Sequence, residues 1–403
     1  MRTPAVLRLF TVVGLAAGST TAVLAQETTQ TRSAVIAQEQ AEKAKILRPH
    51  QSTKGEQLMN KAEDILVNGG LHWHPFMENS YAGGGFALGA GYMHHVSSYN
   101  LVDVRGSYSI RSYKRAEAEF IAPRMFNRRA TLSVLGGWRD ATQVGFYGIG
   151  MDTSVDDRTN YAFEEPYGSA LFTIWPARKL LVLSAGVEVS RWSLKPGQGI
   201  SPSTDAVYSP ATLPGVDSET GYLHSQGTVG LDWRASPGYS RRGGYWGVAL
   251  HDYKDNDEVF GFQQADYEVI QHFPILREAW VISLRGRAQT AFAKDGQEIP
   301  FFMLPSLGGG STLRGYTSWR FRDNNSLLFQ AEWRIMASRF LDSAVFYDAG
   351  KVTSSTSDFD FKGLKSDFGF GVRFHGPSAT PLRIDLAKSR EGLALVFSSS
   401  APF

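Results

Sequence analysis

The chain has 403 residues, of which 41 are Lys or Arg and 39 are Asp or Glu, so its formal net charge is only +2. This balance excludes a strongly basic nucleic-acid-binding protein and gives no sign of a polyanionic partner. The 12% of aromatic residues is too high for a disordered chain, and the absence of cysteine excludes disulfides, thiolate metal sites and a cysteine nucleophile.

Residues 1–25 have the features of a secretory signal peptide. Two arginines supply positive charge, an apolar run covers residues 9–17, and small residues precede a cleavage point at Gln26. A membrane-anchoring helix needs about 20 consecutive apolar residues, whereas Gly-Ser-Thr-Thr at 18–21 interrupts this run. We therefore predict a cleaved signal peptide that directs the chain out of the cytoplasm.

Residues 26–70 form a polar segment that we predict to lie in the periplasm and to contain one short helix. Thr53 and Glu56 have the spacing of a capping box, and apolar residues then recur at helical spacing up to Leu66 before a Gly-Gly pair. The segment is too short to build a sizeable core of its own. A flexible leader is the alternative to a helix that rests on an apolar surface.

From about residue 80 the hydrophobic period changes from that of a helix to the period of 2 that is typical of β-strands. Small or charged side chains alternate with apolar ones, for example from Phe86 to Tyr92 and from Phe368 to Phe374. Such strands form either a soluble sandwich or a membrane barrel with an apolar exterior. The aromatic-rich apolar faces, the charged and glycine-rich opposite faces, and the signal peptide all favour the barrel.

The alternation predicts fifteen strands, near residues 84–95, 100–112, 114–125, 129–140, 160–174, 179–193, 221–236, 243–253, 258–273, 278–292, 326–337, 341–352, 366–375, 381–388 and 393–401. Because a bacterial single-chain barrel has an even number of strands, we predict a sixteenth within 71–79 or 143–150. The fold prediction is an all-β, transmembrane antiparallel β-barrel over residues 71–403 in the bacterial outer membrane. The long inserts 194–220 and 293–325 are predicted to be loops on its outer face.

No motif in the chain indicates catalysis. Gly310–Gly315 has the first glycine spacing of a phosphate loop but lacks the Lys-Ser/Thr pair that should follow. His72 with His74, and His94 with His95, have no identifiable third ligand, so we predict no metal site. We also predict no cofactor and no enzymatic activity, with a membrane-embedded serine hydrolase as a distant alternative.

Three short motifs in the C-terminal part of the chain occur in a fixed order: Leu313-Arg314-Gly315-Tyr316, Glu332-Trp333-Arg334 and Phe346-Tyr347-Asp348-Ala349-Gly350. With the terminal Phe403, this arrangement resembles the bacterial surface antigen superfamily of outer-membrane barrels, to which BamA, TamA and the pores of two-partner secretion belong. The resemblance is strongest over residues 300–403 and weaker over 80–250. It implies a barrel of sixteen strands.

The resemblance also implies that the loop with Arg314, Gly315 and Tyr316 folds back into the lumen, where the arginine pairs with an acid on the wall. Strand alternation points to Asp348 as the partner, with Glu332 on the preceding strand as a second candidate. A guanidinium bound bidentately to a carboxylate is a directional contact, which we expect to contribute about 1–3 kcal/mol in a partly solvated lumen. We call Arg314, Glu332 and Asp348 the latch.

Neighbouring residues are predicted to support the latch. Phe346 and Gly350 share the inward face with Asp348, and Gly350 is expected to leave room beside that carboxylate. Gly315 is expected to permit the sharp turn that aims Arg314. The alternative is that Arg314 lies in solvent, in an ordinary extracellular loop.

A seam is implied where the first and last strands meet. Gly85 and Gly89 are predicted to weaken the first strand, and Pro402, which cannot donate a ladder hydrogen bond, to weaken the last, next to the C-terminal signal residue Phe403. Relatives are thought to open such a seam sideways and admit client strands to the bilayer. Ordinary fraying at the chain ends is the alternative.

The resemblance implies insertion, assembly or translocation of proteins or lipids at the outer membrane. Assembly and secretion members carry periplasmic POTRA domains, and residues 26–70 are too few to form one. We therefore expect a separate periplasmic partner or unfolded client proteins, contacts with outer-membrane lipid and lipopolysaccharide, and no nucleic acid. The alternative function is a passive diffusion pore or a surface receptor.

Overall fold

The computed structural model describes residues 36, 38–42, 53–66, 72–177, 180–276, 278–401 and 403. The predicted signal peptide, the Gly-Gly pair and Pro402 lie outside the described residues. Helix α1 (Lys54–Leu66) begins directly after Thr53, where the capping-box spacing places its start. None of the helices among the described residues combines the length and the hydropathy needed to cross a membrane.

The strands dominate the remainder of the described chain. They are β1 (Trp73–Phe76), β2 (Ala87–His95), β3 (Leu101–Ser109), β4 (Lys114–Arg124), β5 (Ala130–Phe146), β6 (Thr159–Ile174), β7 (Leu181–Pro196), β8 (Glu219–Asp232), β9 (Gly243–Asp255), β10 (Phe262–Ile275), β11 (Trp280–Ala293), β12 (Ser306–Leu307), β13 (Phe321–Arg322), β14 (Asn325–Ser338), β15 (Leu341–Thr353), β16 (Lys365–Phe374), β17 (Leu382–Ser389) and β18 (Gly392–Ser398). Short helical segments in the connections are Met125–Arg128, Thr204–Val207, Phe301–Met303 and Thr356–Asp358.

Sixteen of these strands form one antiparallel sheet in chain order, from β1 to β11 and from β14 to β18. The two-residue strands β12 and β13 form a small ladder inside the connection between β11 and β14. β1 and β18 are the edges of the sheet, and no hydrogen-bonded ladder joins them among the described residues. The all-β architecture and the number of strands predicted from the sequence are confirmed.

β1 supplies the sixteenth strand, inside the predicted range 71–79. The other candidate range, 143–150, is wrong because β5 does not end near residue 140. A bulge between Ala141 and Val144 lets its ladder with β6 continue to Phe146. A bulge shifts the alternation of side chains locally, and this shift hides the continuation in the sequence pattern.

Side chains alternate between two faces along the strands. On β15, Val345 and Tyr347 are each 51% exposed on the outer face, whereas Asp348 is 0% exposed. On β16, Phe368 and Phe370 are likewise exposed on the outside. An apolar exterior around a charged interior is the pattern of a transmembrane barrel and the reverse of a soluble sandwich.

Connections differ in length between the two ends of the sheet. At the short-turn end, residues 96–100 and 125–129 join neighbouring strands, whereas at the long-loop end the connections include 147–158, 197–218 and 294–324. In outer-membrane barrels short turns face the periplasm and long loops face outward. The predicted long inserts therefore lie at one end, as expected.

The lumen near the long-loop end is filled by an aromatic cluster. Phe146 and Phe163 from the wall, and Phe301 and Phe302 from the 294–324 loop, are each at most 2% exposed. The ring centroids of Phe146 and Phe301 are 4.9 Å apart, at the distance of an edge-to-face aromatic pair. This end of the lumen is therefore not the partly solvated space expected from the sequence, because a long loop folds inward and packs its apolar side chains there.

Candidate functional site

The connection between β11 and β14 folds back into the lumen through a compact backbone turn. Gly308 and Gly309 have φ values of 117° and 99°, which glycine adopts without steric cost. The amide of Gly309 donates to the carbonyls of Leu313 at 3.1 Å and Tyr316 at 3.0 Å. The β12–β13 ladder ties together the chain on either side of this turn. Arg314 is thereby held in the interior, with 0% of its side chain exposed.

Apolar side chains anchor the loop to the wall. Leu313, Tyr316 and Phe321 from the loop pack with Leu328 and Val352 from β14 and β15, and all five are at most 3% exposed. The hydroxyl of Tyr316 also donates to a backbone carbonyl of β16 at 3.3 Å. Burial of apolar surface therefore helps to hold the loop inside, independently of its charges.

The guanidinium of Arg314 binds two carboxylates at once. Its Nε donates to Asp348 Oδ2 at 2.7 Å and its Nη2 to Asp348 Oδ1 at 2.7 Å, which makes the bidentate pair. Its Nη1 donates to Glu332 Oε2 at 2.9 Å. The structure thus brings the three latch residues together, and both candidate acids are bound.

Phe346 supports the guanidinium from one face. The central carbon of the Arg314 guanidinium lies 3.5 Å from the centroid of the Phe346 ring, close enough for a cation–π contact. Gly369 on β16 leaves room for this ring, because a Cβ there would lie 2.4 Å from Phe346 Cζ. The guanidinium of Arg314 is therefore held both by bidentate hydrogen bonds and by stacking on the Phe346 ring.

Two further arginines extend the latch into a buried network. Arg373 donates to Glu332 Oε1 at 3.1 Å and to Glu332 Oε2 at 2.7 Å, and it also donates to Asp385. Arg383 Nε lies 3.2 Å from Asp385 Oδ2, and its Nη2 donates to the Gly310 carbonyl at 2.6 Å. Each carboxylate of the network therefore has at least one guanidinium partner, as buried charges require.

Arg373, Arg383 and Asp385 were not predicted as site residues, although they lie within the predicted strands 366–375 and 381–388. Their contacts depend on the register, in which Arg373 lies opposite Arg383 and Gly371 opposite Asp385. A Cβ at Gly371 would lie 2.0 Å from Asp385 Oδ1. The sequence signal that could have indicated them is Gly371, which lies two residues before Arg373 on the same inward face. A glycine at such a position leaves space for a long charged side chain.

The structure gives a different physical reason for each of two predicted glycines. A turn forms at Arg314-Gly315, where Tyr316 N donates to Leu313 O at 3.1 Å, but Gly315 does not have a positive φ. Instead, a Cβ there would lie 2.6 Å from Asp367 Cβ, so glycine permits close approach to the wall. The space at Gly350 is not left beside Asp348. It is occupied by Leu307, since a Cβ at Gly350 would lie 2.9 Å from Leu307 Cδ1.

Arg320 and Arg322 fasten the same loop at other points. Arg320 Nε donates to the two carboxylate oxygens of Glu391 at 2.9 and 3.1 Å, and its Nη1 donates to Thr153 Oγ1 at 2.7 Å. Arg322 donates to the carbonyls of Phe301 and Phe302, each at 3.2 Å. The loop is thus tied to the β17–β18 turn, to the 147–158 loop and to its own first half.

The turn 233–242, between β8 and β9, covers part of the lumen at the short-turn end. Tyr239 donates to Asp342 Oδ2 on β15 at 2.5 Å, and its ring stacks on His375 with centroids 3.9 Å apart. Burial, followed by the hydrogen bond to Asp342, raises the pKa of Tyr239 above its usual value, so the phenol remains a donor. Because β9, β10, β11 and β14 lie between this turn and β15 in the sheet order, the turn reaches across the barrel interior.

A cavity of about 690 Å³ lies between the edge strand β18 and the chain before β2. It is lined by β18 residues Leu393–Ser398, by Phe86, and by Gly309 and Trp319 of the inward-folded loop. The seam is therefore an open groove next to the loop that carries the latch.

Of the predicted seam residues, Gly85 lines the seam cavity, whereas Gly89 lies one strand further from the seam than expected. Gly89 is not on the first strand but on β2, where it pairs with Phe76 of β1 and with Ser107 of β3. Gly85 precedes β2 and lines the cavity. The reason is that β1 adds a strand before these glycines. β18 ends before the chain terminus, and the ring centroid of Phe403 lies 6.3 Å from that of His272 on β10.

Among the described residues, no group of three or more His, Cys, Asp or Glu side chains is arranged to hold a metal ion. The charged groups of the latch network instead form ion pairs with one another. This arrangement can hold a loop in place.

Comparisons with known proteins give a family and a set of similar folds. The Omp85 superfamily domain matches residues 100–392. The fold is similar to BamA from Haemophilus ducreyi lacking POTRA domains 1–3, with a TM-score of 0.57, 14% identity, and coverage of 79% of this chain and 68% of that chain. It is also similar to CdiB from Escherichia coli, with a TM-score of 0.53, 12% identity, and coverage of 81% and 58%.

CdiB from Acinetobacter baumannii gives a TM-score of 0.48 at 10% identity, covering 77% of this chain and 56% of that chain. The chain thus spans little more than half the length of the two CdiB structures. No curated protein sequence matches the chain. At these identities the solved structures show the fold, whereas the family match covers more than half of the chain. The resemblance inferred from the three motifs is therefore confirmed: the chain belongs to the Omp85 superfamily and is an outer-membrane β-barrel of that type.

Proposed function

We propose that this protein inserts or translocates proteins, or lipids, at the bacterial outer membrane, and that it does so at its seam without catalysis. The observation that carries the proposal is the pair of unpaired edges, β1 and β18, beside the seam cavity. An edge strand presents a row of unpaired backbone donors and acceptors, onto which an extended client strand can add.

The strands that form the barrel wall are also short at the seam. β1 has four residues and β18 has seven, so at about 3.3 Å per residue they span about 13 Å and 23 Å. The apolar band of an outer-membrane barrel is about 25 Å tall. Short strands at the seam favour local thinning of the bilayer, which lowers the barrier to insertion there.

The filled interior argues against a passive diffusion pore. The aromatic cluster occupies the long-loop end, the latch network occupies the wall beside β14 to β17, and turn 233–242 covers part of the short-turn end. A wide aqueous channel would need all three to be displaced. A surface receptor is the remaining alternative, and no feature of the described residues favours it.

Residues 26–70, including α1, are proposed to face the periplasm and to contact a separate partner or unfolded client proteins. Outer-membrane lipid and lipopolysaccharide are the proposed surroundings of the exposed apolar face. The cleaved signal peptide remains a prediction of the sequence.

Covalent closure of the seam tests the proposed function. The chain has no cysteine, so Phe86→Cys and Leu395→Cys, which both line the seam cavity, can be joined by a bifunctional thiol reagent. The matched control is Leu386→Cys with Leu395→Cys, which are exposed register partners within the β17–β18 ladder.

The readout is the amount of folded outer-membrane proteins and of surface lipopolysaccharide in cells that rely on each variant. We expect depletion of the protein and closure of the seam to lower one of these amounts, and the control crosslink to leave both unchanged. Full function with the seam closed would contradict lateral opening, and unchanged amounts on depletion would contradict the proposed function itself.

A further inference from the structure

The turn between β4 and β5 is a basic projection at the short-turn end. Arg124, Arg128 and Arg129 are all exposed. Deeper on the same two strands, Arg115 and Arg139 are paired with glutamates at 2.7 Å or less. Among the described residues, the cations of β4 and β5 that form ion pairs are Lys114, Arg115 and Arg139, and none of the three turn arginines. We call Arg124, Arg128 and Arg129 the basic turn.

Exposed aromatic side chains place the basic turn at the depth of the membrane interface. The guanidinium of Arg124 lies 4.2 Å from the ring centroid of Tyr99, which is 50% exposed. Phe126, 64% exposed at the turn, makes an edge contact with Phe172, with ring centroids 6.2 Å apart. Aromatic side chains of this kind lie at the headgroup level of a bilayer. The arginines beside them therefore reach the layer that contains lipid phosphates.

The backbone of the basic turn is strained. Phe126, Asn127 and Arg128 have φ values of 48°, 57° and 67°, a run of three left-handed residues without glycine. Each such residue is sterically unfavourable. The turn is fixed by Arg129 N donating to Met125 O at 3.0 Å and by a bond from the β6–β7 connection to Arg129 O at 2.7 Å. Retained strain of this kind points to a role for the exposed side chains.

We propose that the basic turn binds the phosphate groups of anionic phospholipids in the leaflet at the short-turn end. A guanidinium forms paired hydrogen bonds with phosphate oxygens, and each exposed cation near an anionic membrane adds attraction. The exposed rings of Tyr99 and Phe126 favour a lipid surface over an acidic protein, because they continue the apolar outer face of the barrel. This site is independent of the seam and of the latch.

A depth-matched quenching experiment tests the proposal. A fluorophore is attached to Asn127→Cys, and the barrel is placed in phosphatidylcholine vesicles. A small share of the lipid carries a nitroxide quencher on its acyl chain. In one preparation the quencher lipid is phosphatidylglycerol, and in the other it is phosphatidylcholine with the same nitroxide. The control reporter is Ser378→Cys, in the turn 375–381, which contains no Lys or Arg. We expect the phosphatidylglycerol quencher to be enriched at position 127 and not at position 378.

Removing the charge should remove the enrichment. Arg128→Gln with Arg129→Gln is expected to lower it about thirtyfold, whereas Arg242→Gln, an exposed arginine 3.6 Å from a Glu278 oxygen, should leave it unchanged. Heat-modifiable gel mobility confirms that each variant is folded. Equal quenching by the two lipids at position 127, or enrichment that survives the double substitution, would overturn the proposal. Binding of an acidic polypeptide without lipid enrichment would also overturn it.

Discussion

Replacing Arg314 by alanine tests the latch. The side chain is 0% exposed and makes three hydrogen bonds to two carboxylates. After truncation Glu332 keeps Arg373, whereas Asp348 loses its guanidinium partner and keeps the amide of Gln330, at 3.2 Å. Removing one partner of a buried ion pair costs about 3–5 kcal/mol. The value of about 1–3 kcal/mol expected from the sequence assumed a partly solvated lumen, and full burial raises it.

Arg314→Lys separates charge from geometry. A lysine ammonium restores the positive charge, but it cannot form the bidentate pair with Asp348 or stack flat on Phe346. We therefore expect a loss of stability between that of the wild type and that of Arg314→Ala. Arg191→Ala is the matched control: its N–O distance to Glu219 is 2.8 Å, but the two side chains are 64% and 55% exposed. It should change little, because solvent screens an exposed pair.

Urea unfolding of the folded barrel in micelles, followed by tryptophan fluorescence, measures these differences. Limited proteolysis of the 308–324 segment reports separately whether the loop leaves the lumen. We expect Arg314→Ala to unfold at lower urea concentration and to be cleaved faster than Arg191→Ala. If the two variants unfold together and are cleaved at the same rate, the latch does not hold the loop.

Three other substitutions give distinct outcomes. Gly315→Ala should release the loop without removing a charge, because the new Cβ would lie 2.6 Å from the wall residue Asp367. Gly286→Ala, with open space around it, should not release the loop. Limited proteolysis of the loop compares the two variants. Phe301→Ala should destabilise the barrel by about 3–5 kcal/mol in urea unfolding, since it removes a fully buried ring. Tyr239→Phe should loosen turn 233–242 by removing its bond to Asp342, and faster amide hydrogen exchange in that turn would show this; unchanged exchange would contradict it.

The wall of the barrel was predictable because each strand carries its own signal. Alternation assigns the inner and outer faces residue by residue, so the inward phase of Glu332 and Asp348 followed from period 2 alone. The even number of strands in such barrels then required one more strand. This strand is β1, whose four residues are too few to show a clear alternation. The bulge at Ala141 interrupts the period and concealed the true end of β5.

Contacts between distant segments were not predictable in the same way. Arg373 and Asp385 join the latch only through the β16–β17 register, which alternation does not specify. The aromatic cluster depends on loop residues such as Phe301, whose direction no strand pattern encodes. The roles of Gly315 and Gly350 required the positions of atoms on other strands.

The proposed function requires that protein side chains fill the lumen and that the protein acts at its seam. Single-channel recording of the purified wild-type barrel in a planar bilayer tests it most directly. The account predicts no large, steady conductance, because the aromatic cluster, the latch network and turn 233–242 occupy the interior. A large, steady current through the wild-type protein would contradict the account and would indicate a diffusion pore.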